Sequence, residues 1–411
     1  MPIIAADTAW VLVSAAMVML MTPGVALFYG GMVRRKNFLS TMMMSFAALG
    51  LVGLLWVIYG YSLSFGPDKA GIIGGFDYLG LAQVGQSPSS VYASTIPHLA
   101  FMIFQAMFAI ITVALITGAV VERIKFSALL VFSALWLTFV YCPVAHWVWG
   151  DGGWLAGLGA LDFAGGTVVH IAAGISALSL ALMLGPRRGF REGTPMEPGN
   201  IPMVAIGAGI LWFGWFGFNA GSALTSGGLA SSAFVATNIS AATAAFTWMV
   251  ISWAHRRPTL LGVATGAVAG LVAITPAAGF VSPIMGIPIG IGAAVICYYC
   301  ILFRMKRGID ESLDVWAVHG MGGTWGAFAT GIFTTVAVNS AGADGLLYGN
   351  PKQLLFQTAG IAAVWVFAFS ATWVLGKVVD RIIGLRVSPA EETVGLDISQ
   401  HGERAYGGQL R

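Results

Sequence analysis

Two histidines carry the strongest chemical signal in this chain, because both stand inside long apolar runs: His170 and His319. An ionisable side chain in such a run is costly in lipid, so it marks a candidate site. Each imidazole offers one donor and one acceptor nitrogen, and two of them can share a proton through complementary tautomers. A carboxylate precedes each: Asp162 lies eight residues before His170, and Asp314 five before His319. Eight helical residues span about 12 Å, which puts His170 near mid-membrane. Asp162 opens the run Leu161-Asp162-Phe163-Ala164-Gly165-Gly166. It is expected to cap the free N–H groups of a helix start, and its fixed charge would favour a cation nearby. Asp314 is expected to cap the corresponding start. Glu122 and Arg123 read as an ion pair at a loop edge.

Aromatic residues form the second signal. Phe104 and Phe108 are four apart, on one face of a helix; Trp215 and Phe218 are three apart, with Ser222 one turn on; Trp149 closes another apolar run. Packing and the interfacial aromatic belt explain such residues simply. Gathered in a vestibule, they would attract a small cation by about 0.5–2 kcal/mol per good contact. His98, His146, His255 and His401 sit near boundaries or in the tail and receive no role. Cys142, Cys297 and Cys300 lie in apolar stretches without His or carboxylate beside them, so they read as packing residues. No HExxH pattern occurs. Neither a cofactor nor a metal is expected.

The elements that position these residues follow from composition. Of 411 residues 57% are hydrophobic and only 9% are charged, against about 25% charged in a typical soluble domain. Mean hydropathy is +0.83. So few charges cannot cover a soluble surface of this size. The net charge of +3 is small, and nothing points to nucleic acid. A span needs about 20 apolar residues, and such runs fall near 8–32, 38–65, 97–121, 126–148, 162–184, 200–222, 228–254, 259–276, 284–303, 315–337 and 354–384. The fold class is therefore all-α: a polytopic membrane protein of eleven transmembrane helices. The first run leads into Arg34, Arg35 and Lys36 rather than a cleavage site, so no cleaved signal peptide is expected.

Charge tests the count, since Lys and Arg concentrate in cytoplasmic loops. With the N-terminus outside and the C-terminus cytoplasmic, eighteen of the twenty basic residues fall on the cytoplasmic side, Arg411 in the tail among them; only Lys69 and Lys352 fall outside. Residues 66–96 form the longest outer loop, 149–161 a second one, and 185–199 the central inner loop. An inner loop at the centre of an odd number of spans predicts two five-helix halves of opposite topology, about 8–184 and 200–337, with a path at their interface and a long final helix, 354–384. Each half ends on a span carrying a carboxylate and then a histidine. The transmembrane domain is thus 1–384, followed by a polar cytoplasmic tail, 385–411. The 55 glycines, including Gly262, Gly266 and Gly270 and the pair Gly217 and Gly221, predict close helix packing.

The stretches Pro23-Gly24-Val25-Ala26-Leu27-Phe28-Tyr29-Gly30-Gly31-Met32-Val33-Arg34, Gly157 to His170, Trp212 to Ser222, Asp314-Val315-Trp316-Ala317-Val318-His319-Gly320 and Gly395-Leu396-Asp397-Ile398 together resemble the ammonium transporter family (Amt/Mep/Rh), over essentially the whole chain. The resemblance implies an inverted five-plus-five repeat with a final long helix, and a homotrimer with a pore in each subunit. It implies transport of ammonium or ammonia, with methylammonium as an analogue, in the cytoplasmic (bacterial inner) membrane as part of nitrogen metabolism. By resemblance His170 and His319 are twin pore histidines, Phe108 and Phe218 a stacked gate, and Trp149, Phe108 and Ser222 the recruitment site, supported by Asp162. Trp215 and Phe104 become wall residues. The tail resembles the segment that meets a P-II-type signalling protein in relatives.

Energetics favour splitting the ion. A charge at mid-membrane costs at least about 2.5–3.5 kcal/mol. Deprotonating an amine of pKa roughly 9 at neutral pH costs about 3 kcal/mol, so a dry pore favours NH3. That would reject K+, which has no proton to lose. Rival readings are a water or glycerol channel, which lacks its Asn-Pro-Ala motif here, an ammonium sensor, and an intramembrane metalloenzyme.

Overall fold

The computed structural model describes residues 2–406; Arg411, counted above on the cytoplasmic side, lies outside them. Apolar runs become helices, and proline, glycine and charged clusters separate them. In chain order they are α1 (Ala5–Met32), α2 (Arg35–Phe65), α3 (His98–Thr117), α4 (Phe126–Trp136, continued through Leu137–Tyr141 and Cys142–Trp149), α5 (Gly166–Leu184), α6 (Ile201–Gly221), α7 (Gly228–His255), α8 (Leu260–Ile274), α9 (Pro283–Lys306), α10 (Trp316–Met321 continued as Gly322–Phe333) and α11 (Pro351–Ile382). Nine helices among the described residues are long and apolar enough to cross a membrane; α8 is shorter and α10 is not among the nine. The protein is an all-helical polytopic membrane protein. Its exterior supports this: Phe46 on α2, Phe246 and Trp253 on α7, and Leu355 and Val366 on α11 are all exposed. In lipid such a surface needs no polar cover, and helices satisfy their own backbone groups.

Helix α1 packs along α6, and α5 crosses α10. Both α5 and α10 begin with a six-residue wide turn, Gly166–Ile171 and Trp316–Met321, in which the hydrogen bonds skip one residue further than in an α-helix. Such turns re-aim side chains and are frequent at functional sites; here each holds one of the two deep histidines. The expected glycine packing is present. A Cβ on Gly270 would come within 2.5 Å of the Ser240 carbonyl oxygen on α7, and one on Gly217 within 2.8 Å of the Met17 Cβ on α1.

At one end of the bundle, the 66–96 loop folds into two short hairpins, Asp68–Lys69 with Ile73–Gly74 and Pro88–Ser89 with Ala93–Pro97. His146 fastens this loop: one ring nitrogen lies 3.0 Å from the Ser64 carbonyl and the other 2.9 Å from Asp68. The opposite end gathers the basic residues. Its tail does not simply leave the bundle. Two short helices, α12 (Pro389–Val394) and α13 (Leu396–His401), fold back onto it. Asp397 accepts from the Ser40 N–H, the Leu396 N–H donates to Asn37, and Lys36 donates to the Glu392 and Thr393 carbonyls. Leu396 and Asp397 are buried there.

That basic end also corrects an ion pair. Glu122 does not pair with Arg123. It meets Arg34 at 3.0 Å and Arg187 at 2.8 Å, while Arg123 faces Asp310 and donates to Ser312 and to the Asp310 carbonyl. Glu122 sits at φ +70°, so the backbone turns sharply there and its carboxylate reaches partners from other loops.

Candidate functional site

The crossing of α5 and α10 is possible because glycine faces glycine. A Cβ on Gly174 would lie 2.1 Å from the Gly320 nitrogen and 2.4 Å from its Cα, and one on Gly323 would meet the Gly166 carbonyl at 2.9 Å. The close approach brings His170 and His319 together. Their Nδ1 atoms are 3.2 Å apart and both rings are buried. One Nδ1 must donate and the other accept, so the rings hold complementary tautomers. His170 Nε2 has no hydrogen-bond partner among the described residues.

Asp162 sits just ahead of α5 and closes its start. One carboxylate oxygen accepts from the Gly165 and Gly166 N–H groups, both at 2.7 Å; the other accepts from Thr167 N at 2.7 Å, from Val168 N at 3.2 Å and from the Thr167 hydroxyl. The expected cap is present, and the carboxylate is buried beneath it. Gly165 makes the turn possible at φ +109°, a conformation that glycine alone adopts freely. Trp149 is held in turn, its indole N–H donating to the Asp162 carbonyl at 2.9 Å. Asp314 differs. At φ +62° it pairs with Arg304 on α9 at 2.6 Å rather than capping α10. The expectation that it caps is therefore corrected: Glu311 accepts from the Trp316 N–H instead, at 3.2 Å.

The aromatic residues converge on the same line. Phe108 and Phe218 stack with ring centres 4.2 Å apart; Phe104 meets Phe108 edge-on at 4.9 Å, and Trp149 meets it edge-on at 5.9 Å. Trp215 stacks on His170 at 5.3 Å and donates its N–H to Thr275. The Ser222 hydroxyl donates to the Phe218 carbonyl, which leaves its oxygen lone pairs free to accept.

Three cavities lie in sequence along this line. The first, at the hairpin end, has about 340 Å³ and includes Phe104, Phe108, Trp149, Asp162 and Ser222 in its lining. The third, at the basic end, has about 200 Å³ and reaches Tyr29, Asp314 and His319. Between them is a neck of only about 10 Å³ bounded by His170, Trp215, Phe218 and His319. The neck shares Tyr29 and His319 with the basic-end cavity, and its Phe218 stacks on the Phe108 of the hairpin-end cavity. All nine residues singled out from the sequence thus lie along one path.

Sequence reasoning missed Gln105, Tyr29 and Glu311. Gln105 lines the hairpin-end cavity; its signal was a lone amide inside the apolar α3. Tyr29 lines two cavities and donates to the Leu115 carbonyl. Among the described residues, no group of three or more His, Cys, Asp or Glu side chains is placed to hold a metal.

A buried neck between two mouths, inside a bundle with an apolar exterior, defines a membrane protein with a path for a small solute. The profile described as Ammonium Transporter Family matches residues 9–406. The chain is 54% identical to ammonium transporter Amt1 of Archaeoglobus fulgidus over 400 residues, 97% of this chain and 99% of that one. It is 51% identical to an ammonium transporter of Bacillus subtilis over 402 residues, 97% and 98% of the two chains. Among solved structures, Mep2 of Candida albicans matches with a TM-score of 0.90 at 39% identity, covering 98% of this chain and 90% of that one. A protein described as a sensor Amt protein matches at 0.88 and 29%, covering 96% and 98%. The chain belongs to the ammonium transporter family and is a multi-pass protein of the cell membrane.

Proposed function

We propose that this chain carries ammonium across the membrane by splitting it into ammonia and a proton. The observation that carries the reading is the line of three cavities with a stacked phenylalanine pair and a histidine pair at its neck. Ammonium is recruited in the hairpin-end cavity, where the faces of Phe108 and Trp149 attract a cation, the Ser222 oxygen accepts a hydrogen bond, and the Asp162 charge lies close behind. A neck of about 10 Å³ leaves no room for a hydration shell, so the ion loses its proton before the Phe108–Phe218 gate. Ammonia then passes Trp215, His170 and His319, with Phe104 in the wall above, and regains a proton at the far mouth.

The same reading assigns the topology: eleven crossings, two inverted five-helix halves, a final long helix, and the basic end in the cytoplasm. It divides the chain into a transmembrane domain, 1–384, and a tail. Matching wide turns in α5 and α10 support the repeat, and the meeting of basic loops at one end supports the orientation. From the family resemblance we extend the assembly to a homotrimer, tested by the mass of the purified protein, and the tail-covered basic face to a docking surface for a P-II-type protein.

Uptake of ammonium or methylammonium into proteoliposomes is the decisive measurement. His170→Ala and His319→Ala are expected to change flux or selectivity; wild-type behaviour in both removes the histidines from the mechanism. Current recorded with uptake assigns the proton a route through the protein, and uptake without current returns it outside. The sensor reading is the second one, because a sensor Amt protein shares this fold; it predicts ammonium binding with no flux.

A further inference from the structure

The final helix carries two amides that crossing the membrane does not explain. Leu355 and Val366 on α11 are exposed, whereas Gln353 and Gln357 are only 1% and 2% exposed. A buried amide is costly unless its donors and acceptors are paired. At Gln357 all of them are. Its oxygen accepts from the Leu161 N–H at 2.6 Å and from Gln353 at 3.4 Å. Its nitrogen donates to the Leu161 carbonyl at 2.8 Å and to the Ala327 carbonyl on α10 at 3.1 Å. Two donors and two lone pairs are the whole capacity of an amide. Gln353 also donates to the Gly159 carbonyl, at 2.9 Å.

Leu161 is the residue before Asp162. Its carbonyl belongs to the planar peptide unit that holds the Asp162 nitrogen, so Gln357 sets the plane of that unit. The next unit, between Asp162 and Phe163, is held from elsewhere: the Phe163 N–H donates to the Pro276 carbonyl at 3.1 Å. The carbonyl of that second unit is the one that accepts from the Trp149 indole. Asp162 is thus fixed between two anchored peptide units, and Trp149 is tied to the second of them.

We propose that Gln357 is a positioning residue of the recruitment site. It holds the 159–162 segment so that Trp149 presents its ring to the hairpin-end cavity and the Asp162 carboxylate lies behind. This rests on the transport reading above. Gln357 itself lines none of the three cavities and acts through Leu161. Its bond to Ala327 fixes the same segment against α10, the helix that carries His319.

The test compares the half-saturating concentration and the maximal rate of methylammonium uptake into proteoliposomes, for wild type, Gln357→Met, Gln357→Asn and Thr372→Val. Methionine has a similar length and no amide. Asparagine keeps the amide but is one methylene shorter, so it cannot reach Leu161 and Ala327 together. Thr372→Val breaks a different polar contact of α11, in which Thr372 donates to Ser176 and accepts from Trp136; it is the structural control. Q357M should raise the half-saturating concentration about two- to thirtyfold, the worth of one cation–aromatic contact. Its maximal rate should stay within about twofold of wild type, because binding is lost rather than passage. Q357N should show a smaller rise, and T372V should lower the unfolding midpoint without moving half-saturation. A folded Q357M with wild-type half-saturation overturns the proposal, and so does a T372V that raises half-saturation as far as Q357M does. If Q357M does not fold, Q357N decides: raised half-saturation at the wild-type maximal rate supports positioning, and wild-type half-saturation overturns it. A wild type without saturable uptake overturns the transport reading, and this inference with it.

Discussion

The starts of α5 and α10 look alike in sequence and are built differently. Both have a carboxylate, then a wide turn that holds a deep histidine. At α5 the carboxylate is bound to the backbone it precedes: Asp162 takes four main-chain N–H groups and one hydroxyl. At α10 the equivalent Asp314 turns away at φ +62° to an arginine on another helix, and Glu311 takes the cap. One end is held by local amides and the other by ion pairs between distant loops. The two histidines thus keep matching places in their wide turns while each helix start is held by its own chemistry: main-chain amides on Asp162 at α5, and an Arg304–Asp314 pair with a separate Glu311 cap at α10.

The comparison depends first on the crossing that joins the two helices, and breaking it should have the largest effect. Gly174→Ala puts a methyl group 2.1 Å from the Gly320 nitrogen. Backbone cannot rotate out of the way, so the cost should lie at or above the top of the usual overpacking range, about 1–3 kcal/mol. The histidine rings should separate with it. Thermal unfolding in detergent and uptake should both report severe loss; a variant as stable as wild type shows that α5 and α10 need no glycine contact there.

Next comes the amide-bound end. Asp162→Ala strands several buried N–H groups, each costing about 1–3 kcal/mol when unpaired and unrelieved. We expect a net loss of about 2–4 kcal/mol, seen as a lowered unfolding midpoint, with uptake abolished. Asp162→Asn keeps one acceptor oxygen and should lose less. Equal losses in both variants would show that the negative charge, rather than acceptor geometry, holds the turn.

How much of this was legible from the sequence follows the same division. Asp162 could be read because the amides it binds follow within six residues, and His170 because an ionisable group stands out in an apolar run; the pairing of Phe108 with Phe218 and the place of Ser222 came from the family resemblance. Asp314 and Glu122 were misread because their partners lie outside their own segments, on α9 for Asp314 and in two other loops for Glu122. Arg187 reaches Glu122 only when the bundle closes, Arg304 reaches Asp314 across the turn that ends α9, and positive φ at both acids turns the side chains away from the helix starts. The refolded tail was missed for a related reason: Asp397 caps α2, some 357 residues away in the chain.

The ion-paired end should respond to acid. Burial raises Glu122 and Asp310, but the arginines more than offset it: Arg187 and Arg34 hold Glu122, and Arg187 and Arg123 hold Asp310, below the ordinary carboxylate range. Groups with depressed folded-state values stabilise the fold above their unfolded values, near 4, and lose that contribution as pH falls through the folded ones. The unfolding midpoint should thus fall below about pH 4, with hydrogen exchange rising first in the 118–125 and 307–315 loops. Exchange that does not rise in those loops would show that these ion pairs do not hold that end.

Asp314→Asn should have the smallest effect on stability. The asparagine carbonyl can still accept from Arg304, and the Asp314 side chain is partly exposed, so the loss should stay within about 1 kcal/mol. The unfolding midpoint should therefore stay close to wild type. A midpoint that drops as far as that of Asp162→Ala would show that the charge of the Asp314–Arg304 pair, rather than acceptor geometry, holds this end.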